Sequence, residues 1–335
     1  METKIKTYFE KLNPNLLGFK EKIKIGKIEK LGKGLSSLNY VINVKDKKFI
    51  FRLKADENIK LAKEEYENLK FFENHDFAPN VYLFDDTKKD FESPILILNY
   101  LDGEIIKDVK EFEKNQIKEL AKFLTEIHSI KITPKMQRLP KKNYSEMLKR
   151  SKIEKEEFER ICKDNDFIKQ MNIAFSNILK MYGSFNYPSE MVLAHGDFNS
   201  QNVLVKNSKY FAIDFEDLEL SDPACEIAHI FIDFGKPFNV KNKEIFLKKY
   251  LELRDEKNLK EKVEKYILLW YLGGMYWRLS QVHKTLNKSF SKEYQEKEDL
   301  KRDILNATNR LKQIIDIGAI SESILDFDLT KIFRD

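Results

Sequence analysis

The most informative stretch of the sequence is HGDFNSQNVLVKNSKYFAIDFE, residues 195–216. Two apolar runs in it flank the polar residues Lys206–Lys209, a pattern that predicts a β-hairpin. Because a hairpin returns the chain to the end where it began, Asn202 and Asp214 are predicted to lie side by side. Asp197 is on the loop that leads into the hairpin and must pass close to both of them.

These three side chains suit a metal-assisted transfer reaction. Asn202 and Asp214 offer two oxygen ligands, and oxygen atoms are the ligands that Mg²⁺ prefers in proteins. Asp197 places a carboxylate nearby that can act as a base toward a hydroxyl group. The pattern therefore predicts a site for Mg²⁺ bound to a nucleotide phosphate.

The motif H-G-D-x-x-x-x-N followed by I-D-F-E resembles the catalytic loop and metal-binding segment of the aminoglycoside phosphotransferase/choline kinase family. The resemblance implies a bilobal, protein-kinase-like α+β fold and transfer of the γ-phosphoryl group of ATP. It also implies that Asp197 is the catalytic base and that Asn202 and Asp214 are the magnesium ligands. A solvated polar loop beside a hairpin is the alternative, but motifs of the family follow in order over residues 23–235.

The chain changes character near residue 100. Strand and helix patterns alternate before it: three strands over 23–54 with a turn at 46–48, a helix over 57–73, and strands at 81–84 and 94–98. After it, helical patterns dominate at 111–130, 144–182 and 240–316, around a short β-rich insert at 192–214. We expect a small β-rich N-lobe over residues 1–98, a hinge over 99–103 and a larger, mainly helical C-lobe over 104–335. Small ligands usually bind in the cleft between such lobes.

The loop LGKGLSSLNY, residues 31–40, lies between two predicted strands, where the family has a loop that covers phosphate groups. The backbone N–H groups of Gly32 and Gly34 and the hydroxyls of Ser36 and Ser37 are candidate donors to phosphate oxygens. An ordinary hairpin turn is the alternative for this segment taken alone.

Arg52 lies between apolar neighbours on the predicted third strand and resembles the basic residue of the family that contacts the α- and β-phosphates. Lys54 shares its face and is the competing candidate, although the strand is expected to be ending there. On the next helix, Glu65 projects from the apolar stripe, four residues after Leu61 and four before Leu69. Because a buried carboxylate needs a cation, an ion pair between Arg52 and Glu65 is predicted.

The segment LILNYLDG, residues 96–103, resembles the hinge of the family, whose backbone groups hydrogen-bond the adenine edge. Asn99, Tyr100 and Leu101 are the candidates for this contact. The resemblance thus implies two cofactors, ATP and Mg²⁺.

The acceptor is less well defined by the sequence. Trp270, Gly273, Gly274 and Trp277 share a helical face, and with Glu216 they are candidates to cage an ammonium group. The alternative is a core helix whose glycines let another helix approach closely. The stretches GLSSLNYVINV and KKFIFRL also resemble bacterial choline kinases. An amino alcohol such as choline or ethanolamine is therefore expected, with an aminoglycoside, or another sugar or amino-acid hydroxyl, as the alternative.

Two function classes other than a small-molecule phosphotransferase are less compatible with these residues. A protein kinase is disfavoured because Asp214-Phe215-Glu216 replaces D-F-G and no A-P-E segment follows. A catalytically silent nucleotide-binding module is the other, and the filled positions Asp197, Asn202 and Asp214 argue against it.

Composition excludes several other classes. The 335 residues are 42% hydrophobic and 34% charged, as expected for a globular chain of two domains or lobes. Sixty Lys+Arg against 55 Asp+Glu, with both signs interleaved, do not favour a nucleic-acid partner. Two cysteines without metal-type spacing and a charged N-terminus favour a cytoplasmic protein. The longest apolar stretch, residues 266–277, is too short to span a membrane.

Overall fold

The structure is a computed structural model that describes residues 1–31, 37–54, 59–106, 112–183, 190–234, 238–287 and 293–334. These residues form two compact units. The first consists of Met1–Ile127, His195–Leu218 and Asp233–Tyr250, and the second of His128–Ala194, Glu219–Ile232 and Leu251–Asp335. The lobe boundaries expected from the sequence stay a prediction.

The regular elements are numbered in chain order. The helices are α1 (Glu2–Lys11), α2 (Ile59–Leu69), α3 (Lys114–His128), α4 (Tyr144–Ile161), α5 (Asn165–Tyr182), α6 (Pro223–Asp233), α7 (Val240–Leu253), α8 (Leu259–Leu286) and α9 (Glu293–Asp316). The strands are β1 (Ile25–Lys30), β2 (Ser37–Val44), β3 (Lys47–Lys54), β4 (Val81–Asp85), β5 (Ile95–Asn99), β6 (Glu104–Ile105), β7 (Lys141–Lys142), β8 (Val192–Ala194), β9 (Val203–Lys206), β10 (Lys209–Ala212) and β11 (Glu219–Ser221). This mixture confirms the α+β class predicted from the sequence.

The first unit contains an antiparallel five-stranded sheet in the order β1-β2-β3-β5-β4. The turn between β2 and β3 consists of Lys45 and Asp46, and Lys45 has a φ of 54°. The turn expected at 46–48 therefore begins one residue earlier. This short turn sets the register, so that Asn39 on β2 lies opposite Arg52 on β3.

Helix α1 covers this sheet with aromatic side chains. Phe9 is fully buried and its ring centroid lies 5.8 Å from that of Phe51 on β3. Tyr8 packs edge to face on Phe91, and its hydroxyl donates a 2.6 Å hydrogen bond to Asp85. The N-terminal helix is thus part of the core of the first unit.

The hairpin predicted between Asn202 and Asp214 is confirmed. Strands β9 and β10 pair antiparallel around the two-residue turn Asn207–Ser208. Both turn residues have positive φ angles, 48° and 63°, which is the arrangement of a type I′ turn and matches the twist of the strands it joins. Strand β6 pairs with the outer side of β9 and completes a three-stranded sheet.

The second unit is mainly helical. Its short sheet has the order β7-β11-β8, and α8 packs against α4, α5 and α9. A side chain on Gly273 would lie 3.2 Å from the hydroxyl of Ser151 on α4, and one on Gly274 would lie 3.3 Å from Arg310 on α9. This is the close helix approach that the core-helix interpretation of α8 expects.

Both cysteines are buried thiols. Burial raises the pKa of Cys162 to about 11 and that of Cys225 to about 12. Among the described residues, no helix has both the length and the apolar character needed to cross a membrane.

Candidate active site

The loop between β8 and β9 holds Asp197 by two amide side chains. Asn202 donates from Nδ2 to Oδ2 of Asp197 at 2.9 Å and to its carbonyl oxygen at 3.0 Å. Asn199 donates to the same Oδ2 at 2.8 Å, and its own Oδ1 accepts the backbone N–H groups of Gln201 and Asn202. These bonds fix the carboxylate, while Oδ1 of Asp197 accepts no hydrogen bond within the described parts of the chain.

Asp214 is brought to this loop by the hairpin. The N–H of Ile213 donates to the carbonyl of Asn202 at 2.9 Å, so the segment after β10 runs beside the segment before β9. Asp214 itself has a φ of 70°, a left-handed conformation that non-glycine residues rarely adopt and that is concentrated at functional sites. The predicted convergence of Asp197, Asn202 and Asp214 is thus present in the geometry.

Gly196 allows the loop to approach the chain after Asp214. Its φ is 84°, and a Cβ atom there would lie 1.8 Å from the carbonyl oxygen of Asp217. The neighbouring His195 is fully buried, donates from Nε2 to the carbonyl of Ile213 at 2.9 Å and accepts the N–H of Asp197 at Nδ1. No other residue type can occupy position 196 without moving the loop.

The environment of Asp197 favours its protonated form. Burial raises the pKa of its carboxyl to about 6, and the negative charges of Asp217 and Asp214 act in the same direction. The hydrogen bond from Asn199 and the electrostatic influence of the nearby His195 ring oppose them. A carboxylate with a pKa close to neutrality is well matched to general-base catalysis.

Strand β3 provides two buried cations. Arg52 donates from Nη1 to Glu65 and to Oδ1 of Asp214, the latter at 3.2 Å, and from Nε to Asn39 at 2.9 Å. The predicted ion pair between Arg52 and Glu65 is therefore confirmed, and Glu65 is fully buried. Lys54 is the last residue of β3, as expected, and it pairs with Glu65 and Glu216.

Two asparagines that were not among the predicted site residues position this cluster. Asn39 holds the Nε of Arg52, and the two-residue turn after β2 is the signal that places it opposite that arginine. Asn68, one turn after Glu65 on α2, donates to the carbonyl oxygen of Phe215 at 3.0 Å. Its spacing of three residues from Glu65, which places both side chains on one face of α2, was the available signal in the sequence.

A cavity of about 230 Å³ adjoins these charged groups within the first unit. Its apolar lining comes from Leu31, Ile50, Leu69, Pro79, Leu98, Leu101, Ile105, Leu204 and Ile213. Its polar lining comes from Asn39, Arg52, Glu65, Asn99, Tyr100 and Asp214. An apolar pocket with a few convergent polar groups is the usual form of a small-ligand site.

The predicted hinge lies along this cavity. The N–H of Asn80 donates to Oδ1 of Asn99 at 2.6 Å, and the N–H of Asn99 donates to the carbonyl of Asn80 at 3.1 Å. The N–H of Tyr100 donates to the carbonyl of Lys48 at 3.2 Å. The N–H of Leu101 donates to no described residue and remains a candidate donor to a bound base.

The predicted phosphate loop is only partly within the described residues. Gly32, Gly34 and Ser36 lie outside them. Ser37 begins β2, and its buried hydroxyl has no hydrogen-bond partner among the residues that the structure describes.

The tryptophans predicted to cage an ammonium group are in the second unit. The ring of Trp270 stacks on His229 with centroids 4.4 Å apart, and the Nζ of Lys142 lies 4.8 Å from the same ring. Its indole N–H donates to the carbonyl of Cys225 at 3.0 Å. Trp277 is 38% exposed and lies beneath the guanidinium of Arg278. The ring of Trp270 is therefore already in contact with a cation of the protein.

The donor set around Asp214 fits a magnesium ion bound together with phosphate. Oδ2 of Asp214 and Oδ1 of Asn202 accept no hydrogen bond from any described residue. Two protein oxygens completed by phosphate oxygens and water are a common Mg²⁺ arrangement. No cluster of three or more His, Cys, Asp or Glu side chains arranged for a metal occurs in the described ranges.

The fold and the site define a class, the small-molecule phosphotransferases with a kinase-like fold. Residues 27–261 match the model of the APH phosphotransferase enzyme family, and the chain belongs to that family. It is accordingly a phosphotransferase that acts on a hydroxyl group. None of the curated protein sequences compared with the chain matches it.

Solved structures of similar fold include enzymes with different acceptors. A choline kinase from Cryptosporidium parvum Iowa II is 16% identical, with 95% of this chain and 98% of that chain covered and a TM-score of 0.62. The GDP and kanamycin complex of APH(2")-IIia is 17% identical, with 93% and 98% covered and a TM-score of 0.62. The ADP and spectinomycin complex of the spectinomycin phosphotransferase APH(9)-Ia is 17% identical, with 86% and 94% covered and a TM-score of 0.62. At these identities the similarity shows a common fold.

Proposed function

We propose that the protein transfers the γ-phosphoryl group of ATP, with Mg²⁺, to the hydroxyl of a small amino alcohol such as choline or ethanolamine. One observation carries the proposal: Asp197, Asn202 and Asp214 converge in the unit that also holds the Arg52–Glu65 pair. These are the base, the metal ligands and the phosphate-binding cation that phosphoryl transfer requires.

The cavity of the first unit is the candidate site for the base of the nucleotide. Its apolar lining suits a purine ring, and the N–H of Leu101 is available to the edge of the base. Arg52 has its Nε and Nη1 engaged with protein groups, whereas its Nη2 donates to no described residue. We assign Nη2 to a phosphate oxygen of ATP.

Asn202 and Asp214 would hold the metal ion through the oxygens that carry no hydrogen bond. When bound, Mg²⁺ neutralises part of the negative charge on the transferred phosphoryl group. Asp214 also contacts Arg52, so the residues that bind phosphate and metal are linked before either ligand arrives.

Asp197 orients the acceptor hydroxyl and accepts its proton. Its Oδ2 is held by Asn199 and Asn202, which leaves Oδ1 for the hydroxyl. With a pKa of about 6, the carboxyl is ionised at pH 7.5 and is still basic enough to take a proton. A positioned base of this kind contributes about 10²–10⁴-fold to the rate.

Negative charge around Asp197 supports an acceptor that carries an ammonium group. Asp217 is exposed, and its backbone contacts Gly196. Asp233, also exposed, accepts the backbone N–H of Ser200 in the same loop. A cationic acceptor would be attracted to these carboxylates, and the choline kinase of similar fold agrees with an amino alcohol.

An aminoglycoside is the second candidate, and the surroundings of Trp270 favour it. Because His229 and Lys142 already contact that ring, it does not offer a clear face to a quaternary ammonium group. The kanamycin and spectinomycin complexes of similar fold are consistent with this alternative. Both candidates are cationic acceptors, and both would be phosphorylated on a hydroxyl group by the same reaction.

The proposal is tested by ADP release from purified protein with magnesium. The panel holds choline, ethanolamine, homoserine, a hexosamine, kanamycin and spectinomycin, each with ATP and with GTP. We expect turnover of an amino alcohol that stops with EDTA and falls at least 100-fold in Asp197→Asn. Asp90→Asn, which removes only a surface pair with Lys11, is the matched control and should retain full activity.

Three results would change the conclusion. Turnover of an aminoglycoside alone selects the second candidate. Nucleotide binding without turnover of any acceptor favours a silent module or an acceptor outside the panel. A protein that binds neither ATP nor GTP contradicts the proposal.

A further inference from the structure

Lys54 is a buried cation that the proposed reaction does not use. It is 4% exposed, and its Nζ lies 2.8 Å from Oε2 of Glu65 and also pairs with Glu216. Burial alone lowers the pKa of a lysine, but the two carboxylates outweigh it and raise the pKa of Lys54. The side chain is therefore a charged bridge between helix α2 and the segment that carries Asp214.

Glu65 is shared between the two buried cations of β3, Arg52 and Lys54. Its Oε1 faces Arg52 and its Oε2 faces Lys54. Because the carboxylate is held at both oxygens, it cannot rotate without breaking one of two buried charge contacts, which is costly. Lys54 thereby also restrains Arg52, which reaches Asp214 at 3.2 Å.

Residues 214–216 are held at three successive points. Arg52 contacts the carboxylate of Asp214, Asn68 donates to the carbonyl of Phe215 at 3.0 Å, and Lys54 pairs with Glu216. The three contacts come from β3 and α2. The third contact extends the attachment of the segment from Asp214 to Glu216.

We propose that Lys54 is a positioning residue, which holds Glu216 and with it the segment that presents Asp214 to the metal. Glu216 is committed to Lys54 and is not the counter-charge of the acceptor's ammonium group. An acceptor that displaced Lys54 from Glu216 would leave a buried ammonium with one partner fewer. The inference rests on the proposed function, since it takes Asp214 as a metal ligand.

The test compares Lys54→Met, Glu216→Gln and the double variant in steady-state kinetics. Each single change is expected to raise the KM for Mg-ATP at least tenfold and to leave the KM for the acceptor within twofold. The double variant should be no worse than the poorer single variant, because the two residues act as one pair. Lys54→Arg should recover to within about threefold of the wild type. Lys60→Met, which breaks an exposed pair with Glu64 on α2, is the control and should not differ from the wild type.

The competing role of Glu216 gives the opposite pattern. If Glu216 binds the ammonium group, Glu216→Gln raises the KM of a cationic acceptor at least tenfold, spares a neutral acceptor, and Lys54→Met does not reproduce the effect. That pattern overturns the inference.

Binding measurements separate this inference from the proposed function. Calorimetric titration with the non-hydrolysable analogue AMP-PNP, with and without Mg²⁺, should show that Lys54→Met loses most of the magnesium-dependent gain in affinity and keeps the magnesium-free affinity. If Lys54→Met does not fold, Glu216→Gln alone provides the same readout. A wild-type protein that binds no nucleotide contradicts the proposed function, whereas normal binding and turnover in both single variants contradicts only the role of Lys54.

Discussion

Asp197 is held in a position that favours reaction at the expense of stability. A carboxyl whose pKa rises from 3.8 to about 6 on folding binds more protons in the folded than in the unfolded state between those values. The free energy of unfolding therefore falls as the pH rises through this window. The ionised base that the reaction needs is the form that the fold stabilises less.

Asp197→Asn should accordingly stabilise the metal-free protein, and more so at pH 7.5 than at pH 4.5. A full shift of two units corresponds to about 3 kcal/mol. Water reaches this half-buried group, so we expect the advantage of the variant to grow by about 1–2 kcal/mol between the two pH values. Urea unfolding in EDTA measures it. If the difference in unfolding free energy between Asp197→Asn and the wild type stays constant or shrinks toward pH 7.5, folding does not raise the pKa of Asp197.

At the scale of elements, the geometry of the catalytic loop depends on Gly196. Gly196→Ala places a methyl group on the backbone oxygen of Asp217 in addition to forcing a positive φ. We expect a loss of activity of at least about 100-fold, since small displacements of reacting groups have effects of this size. Kinetic assays of purified protein measure the loss.

Gly183 provides the matched control for that change. It also has a positive φ, 64°, but a Cβ atom there would meet no atom of a described residue within 4 Å. Its ψ of −158° places it in a region that is essentially restricted to glycine, so Gly183→Ala should cost about 1–3 kcal/mol of stability and leave activity unchanged. Equal losses of activity in the two variants would show that the approach to Asp217 has no special role.

Local patterns predicted the elements of the site well. The β9–β10 hairpin followed from two apolar runs and a polar turn, and the Arg52–Glu65 pair followed from a carboxylate on an apolar helical stripe. Asn39 was missed, and Lys54 was placed on the face of Arg52 without its two carboxylate partners. A β2–β3 turn one residue earlier puts Asn39 opposite Arg52, and a strand that runs through Lys54 keeps that lysine on the buried face. Errors of one residue in strand boundaries thus decide which side chains meet.

At the scale of the whole molecule, the N-terminal helix has a highly charged composition and yet contributes to the core of the first unit. Helix α1 lies before residue 27, where the match to the family model begins. Its sequence is rich in lysine and glutamate, and we assigned it no element. Its buried side chains, Ile5, Tyr8 and Phe9, stand at the i, i+3, i+4 spacing of one helical face, so the available signal was this short stripe. The stripe does not reveal the partners of Tyr8 and Phe9, which lie on β3 and beside β5.

Phe9→Ala tests whether this helix supports the first unit. Phe9 is fully buried, and removing a buried phenyl ring typically costs about 3–5 kcal/mol. Urea unfolding should show a loss of this size. Leu16→Ala, at a side chain 44% exposed, should change stability by less than about 0.5 kcal/mol. A similar small effect of Phe9→Ala would mean that α1 is dispensable for the unit.

The acceptor is the part of the function that neither the sequence nor the fold specifies. Trp270 and Trp277 were candidates because aromatic rings at helical spacing can form a cage, yet the same spacing describes a core helix. The contacts of Gly273 and Gly274 with α4 and α9 agree with the second interpretation. Recognition of an acceptor depends on which ring faces remain uncovered, and one-dimensional spacing carries no information about that.

The two buried thiols have a practical consequence for spectroscopy. Thiolates are the species that react with maleimides, and both native cysteines are shielded from solvent and retain their protons at neutral pH. The native cysteines are therefore expected not to react during site-directed labelling of an introduced cysteine. A single cysteine introduced at the exposed Val240 would carry a fluorophore or spin label at one known place, without first replacing the residues that pack the interior.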